Sequence, residues 1–77
     1  MNKQTEVIRF KEKAIKRREA FQATNNPLEY TLKEARQVKA KFPHIGNKAA
    51  LFKVFTASPI EQAIFMNRNY KKLLKLV

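Results

Sequence analysis

Pro43-His44-Ile45-Gly46-Asn47-Lys48-Ala49-Ala50-Leu51-Phe52-Lys53-Val54-Phe55-Thr56-Ala57-Ser58-Pro59-Ile60-Glu61 holds a helix stop, a helix and a second helix start in one run. Its middle is apolar nearly all round: Ala50, Leu51, Phe52, Val54 and Phe55 cover most of the circumference of a helix over 47–57. Such a helix belongs in the centre of a bundle, with Phe52 and Phe55 expected in the core. Lys48, Lys53 and Thr56 mark its wet side. Asn47 is the expected N-cap, since its short side chain can accept from an orphan backbone N–H. Gly46 is the only glycine in the chain, and a positive backbone angle is expected there.

Pro43 disfavours helical geometry at Phe42 and so closes the preceding helix, expected over 31–42. Thr31 with Glu34 fits the capping box that would start it, and Leu32, Ala35, Val38 and Phe42 form its apolar stripe. Downstream, Ser58, Pro59 and Glu61 read as cap, first helical residue and box partner of a helix over 59–76. Ile60, Ala63, Met66, Tyr70, Leu73, Leu74 and Val77 form its apolar face, with Ile64 flanking. Phe65 and Leu76 fall off that face, which predicts self-association as a homodimer; the competing explanation is a first helix folded back over them. The first helix is expected over 3–23. Val7, Phe10, Ala14 and Phe21 share its stripe, Ile8 and Ile15 edge it, and Asn25-Asn26-Pro27 breaks it. Tyr30, beside the Thr31 cap, reads as a staple over the second helix. The fold expected is all-α: one small basic domain spanning 1–77, a compact bundle of three to four helices.

Composition limits the chemistry. Among 77 residues there is no Cys and no Asp, one Ser and one His, which leaves no thiolate metal site and almost no equipment for acid–base or nucleophilic catalysis. His44 reads as a turn residue. Glycine-rich phosphate loops, paired carboxylates and metal-ligand spacings are missing, so neither an enzyme nor a metal or organic cofactor is expected. No secretory pattern and no membrane-length apolar run is present, so a soluble cytoplasmic protein without a membrane partner is expected.

Charge carries the functional reading. Seventeen Lys and Arg against six Glu leave a net +11. Residues 1–30 carry a net +3 and residues 31–77 a net +8, with no acid after Glu61. Arg68, Lys72 and Lys75 recur on one face of the last helix, with Lys71 beside them. A stripe of this kind attracts phosphate backbones through Coulomb forces and counterion release; the plainer role of such lysines is to complement the helix dipole. Two helix-turn-helix placements fit coarsely. In the first, the helix over 47–57 presents Asn47, Lys48 and Lys53. In the second, Thr56, Ser58, Gln62, Asn67 and Arg68 approach the groove. Lys16-Arg17-Arg18 is a further basic run, interrupted by glutamates, and Glu12–Lys16 is a favourable four-residue pair on a solvated face. The leading expectation is a nucleic-acid-binding protein, on duplex DNA, acting as a regulator or accessory factor and nucleoid-associated. The alternative is a non-enzymatic modulator or inhibitor that docks on an acidic or nucleic-acid-binding surface of a larger protein. In general type the short, basic, helical chain resembles small regulatory proteins made by phages, plasmids and bacteria, with no motif to carry that resemblance.

Overall fold

The computed structural model describes residues 3–77, and side chains from residue 11 onward. The described residues form five helices and no strand: α1 (Lys3–Ala23), α2 (Pro27–Lys41), α3 (Asn47–Ala57), α4 (Ile60–Arg68) and α5 (Tyr70–Leu76). The all-helical class is as expected, and the helix expected over 59–76 is two helices. Asn69 separates them: its backbone takes φ −115 and ψ 21, and its side-chain Nδ2 donates to the Phe65 carbonyl at 2.9 Å. A short amide side chain that competes for a backbone acceptor in this way disfavours a helix interior.

The core is small. Leu32 and Ala35 of α2, Leu51 and Val54 of α3, Met66 of α4 and Leu73 of α5 are buried together, with Leu28, Val38, Leu74 and Val77 packed around them. The α2–α3 pairing is the most extensive, and α4 and α5 close over it. α1 stands to one side. Residues 11–20 are exposed throughout, Ile15 at 55%. Its last turns reach the body: Phe21 meets Tyr30 and Phe65, each with ring centroids 6.1 Å apart. Arg17 Nη1 donates to the Ala57 carbonyl at 2.8 Å, and Arg18 pairs with Glu61 at 2.6 Å. The first helix therefore does fold back over Phe65, while Leu76 stays 45% exposed. Val7, Ile8 and Phe10 lie outside the described side chains.

Several helix boundaries differ from the sequence expectation. α2 begins at Pro27, one turn before Thr31, because Asn26 caps it: its Oδ1 accepts from the Glu29 N–H at 3.1 Å. Thr31 is then an interior residue, fully buried. Phe42 lies past the end of α2 and is 47% exposed. Gly46, not Asn47, is the N-cap of α3, and its φ of −78 is ordinary extended backbone. Ser58 caps no N-terminus. It closes the C-terminus of α3, where its hydroxyl donates to the Val54 carbonyl, and Pro59 precedes α4 without a side-chain cap. The Glu12–Lys16 pair does not close; the ion pairs among the described residues are Arg18–Glu61 and Arg36–Glu29.

The apolar faces also divide differently. α3 buries Ala50, Leu51 and Val54, but Phe52 is 66% and Phe55 42% exposed. The expectation that both phenylalanines are core fails for want of a covering element. α2, α4 and α5 pack on α3 from one side, and α1 is held against α4 instead. On α4 and α5 the expected apolar members Ile60, Ile64 and Tyr70 are exposed, and Gln62 is buried in their place.

Candidate nucleic-acid interface

α3 and α4 leave a groove between them, and Phe52, Phe55 and Tyr70 line it over a floor of Leu51 and Met66. Lys48 and Asn67 supply its polar groups, and its volume is about 460 Å³. The local reason is helical spacing. Lys48, Phe52 and Phe55 sit four and three residues apart, so one stripe of α3 carries a cation and two rings. Tyr70 joins them because the break at Asn69 ends α4 and begins α5 beside the groove.

A second recess adjoins the first. Arg68, Lys71 and Lys72 line it together with Asn67, Asn69 and Tyr70. Asn67 and Tyr70 border both recesses, so the aromatic groove runs into a cationic shelf. The chain's distribution of acids leaves that shelf strongly positive. Residues 31–77 contain two carboxylates, and both are engaged elsewhere. Glu61 Oε1 pairs with Arg18 of α1, and Glu34 Oε1 accepts from Gln62 Nε2 at 2.6 Å.

The expected site residues fare unequally. Arg68, Lys71, Lys72 and Lys75 are all exposed on the last turn of α4 and on α5, and the first three share the shelf. Lys48 is exposed and joins them across the groove. Lys53 is exposed but directed to a neighbour, its Nζ 4.7 Å from the centre of the Phe42 ring. Asn47 is half-buried, and its Oδ1 accepts from Lys39 Nζ at 2.7 Å, so it is already occupied. The second helix-turn-helix placement loses Gln62, while Thr56, Asn67 and Arg68 remain exposed. Gln62 is 2% exposed and bonded to Thr31 and Glu34, so it cannot reach a base edge. Arg17 and Arg18 likewise have partners within the chain, where they hold α1.

Helical periodicity places the groove's three rings in the core and so does not announce the groove. The available signal was the lysine sharing their stripe: a buried face would not carry Lys48 in line with Phe52 and Phe55. Among the described residues no cluster of three or more His, Cys, Asp or Glu could hold a metal ion, and no helix is long and apolar enough to cross a membrane. Compared with known proteins, the chain matches no family model, no curated protein and no solved structure.

Proposed function

We propose that this chain is a non-enzymatic nucleic-acid-binding protein, a small regulator or accessory factor working inside the cell. The observation that carries the reading is the shelf of Arg68, Lys71 and Lys72, which faces solvent while both carboxylates of residues 31–77 are committed elsewhere. Uncompensated cations on one surface attract a phosphate backbone and displace its counterions. Lys75 extends the same charge along α5, and Lys48 extends it across the groove.

Binding of random-sequence DNA at several salt concentrations tests the proposal. Four neutralised phosphates on duplex DNA predict a slope of log affinity against log salt of roughly −3.6. Arg68→Gln and Lys72→Gln should each weaken binding and flatten the slope by about one unit. Parent protein without affinity at low salt would remove nucleic acid as the partner class.

The exposed aromatic groove favours one second reading, a modulator that docks on an acidic surface of a larger protein. An acidic surface and a phosphate backbone attract the same cations. That reading takes the lead if nucleic acid fails to bind and a stoichiometric partner survives nuclease treatment of the extract.

A further inference from the structure

We infer that the groove between α3 and α4 takes an unstacked base from a single-stranded nucleic acid, while the adjoining shelf holds the phosphates beside it. The inference rests on the nucleic-acid reading and specifies which form of nucleic acid is preferred. Three observations carry it. First, Phe52, Phe55 and Tyr70 stay 66%, 42% and 41% exposed and, of the exposed large apolar side chains, are the ones gathered on this groove. Second, they line a recess and do not form a protruding wedge. Apolar side chains that act on a duplex insert between base steps; a recess receives, and what it can receive here is a flat apolar face. Bases inside a duplex have none to offer, because their faces are covered by one another. An unpaired base does, and aromatic stacking of such bases is tolerant of sequence.

Third, the polar groups fit the rest of a nucleotide. Asn67 brings an amide that can both donate and accept at a base edge. It borders the shelf as well, as does Tyr70, so a base in the groove and its neighbouring phosphates lie side by side on the surface. Lys48 supplies a cation at the groove, opposite in sign to the strand. The combination of a cationic track with ring faces is the arrangement that binds single strands.

The test compares a labelled oligothymidylate of about twenty nucleotides with a duplex of the same length. The parent should prefer the single strand. Phe52→Leu and Phe55→Leu keep apolar bulk and remove the flat ring. Each should weaken oligothymidylate binding roughly fivefold to a hundredfold and leave duplex binding unchanged. Phe52→Tyr should restore it. Lys71→Gln with Lys72→Gln should weaken both ligands. Because both phenylalanines are exposed, the variants should keep the parent's circular dichroism. A further measurement needs no change in the groove. In Tyr30→Phe protein the remaining tyrosine is Tyr70, and its emission should be quenched by oligothymidylate. Equal affinity for strand and duplex, Leu variants that bind as the parent does, or unquenched Tyr70 would overturn the groove assignment and leave the basic shelf standing. Parent protein that binds neither ligand would overturn both readings together. Self-association that Phe52→Leu abolishes, with oligothymidylate affinity unchanged, would assign the groove to a second copy of the chain. Tolerance of Leu in binding an acidic peptide, with no single-strand affinity, would assign it to a protein partner.

Discussion

Gln62 joins two helices that share few other polar contacts. Its Nε2 donates to Glu34 Oε1 at 2.6 Å and to Thr31 Oγ1 at 3.3 Å, all beneath the surface of α4. Gln62→Ala strands these acceptors and should cost ~1–3 kcal/mol in chemical denaturation. The pair Thr31→Val with Gln62→Leu removes both sides of the Thr31 bond and should cost less than the two single changes summed. Leu51→Ala should cost ~2–5 kcal/mol, close to the ~3–5 kcal/mol that a core of this size supplies. That variant should be largely unfolded by circular dichroism, whereas Phe52→Ala should stay within about 0.5 kcal/mol of the parent. Tyr30 gives a pH dependence. Burial first, and the nearby Glu34 second, raise its pKa above the usual tyrosine value, with Arg17 opposing. The folded state therefore holds this proton more tightly than the unfolded chain does. Its stabilising contribution is complete below the unfolded pKa and is lost as pH rises through the folded one. Alkaline titration of stability should fall less steeply in Tyr30→Phe than in the parent. At this scale the sequence was legible where partners are near in the chain. Thr31 with Glu34 matches a local capping pattern, but the hydroxyl's observed partner, Gln62, is 31 residues away. No spacing rule announces such a contact.

Helix type was legible along the whole described chain, and helix ends were legible where a backbone rule governs them. Pro43 and the lone glycine at 46 do bracket the α2–α3 connection. The start of α2 is written in the sequence by the same kind of pattern. Asn26-Pro27-Leu28-Glu29 has the same cap, first-residue and acid order as Ser58-Pro59-Ile60-Glu61. The first of these is used, and the second is not, because α3 takes Ser58 for its own end. Two helices competing for one hydroxyl is a tertiary outcome. Asn26→Ala should accordingly destabilise the protein by ~0.5–2 kcal/mol, while Ser58→Ala should act by loosening the α3 terminus. Asn69→Ala tests whether the α4–α5 break is written locally. If the amide bond to the Phe65 carbonyl makes the break, the variant should gain helix signal in circular dichroism and lose none of its stability. An unchanged spectrum would assign the break to the packing of Leu73 beneath α2 and α3. Exposure of Phe52 and Phe55 belongs with these cases. Periodicity tells how apolar a helix is all round, but not on how many sides it finds neighbours.

The molecule as a whole is long for its size. Its radius of gyration is 13.7 Å, with extents of 43 × 29 × 16 Å. A spherical domain of this length would have about 11.5 Å. The excess comes from α1, roughly 30 Å of helix at 1.5 Å per residue, whose described contacts with the body come from its last turns. Phe21→Ala should release it: limited proteolysis should then cut α1 first, while amide protection at Leu51 and Leu73 persists. An arm attached in this way has a second option, to exchange between molecules. Phe21–Phe65, Arg17–Ala57 and Arg18–Glu61 would close equally well in a swapped pair, and swapping is a low-cost route to a dimer. Mass action decides between them. A short connector such as Thr24–Asn26 gives the arm an effective concentration near its own body of order millimolar, so at micromolar protein the closed form prevails by about a thousandfold. The arm stays with its own chain under ordinary conditions, and mixing two differently labelled samples should produce no exchange signal. A dimer found by sedimentation at micromolar concentration would have to be built on another surface.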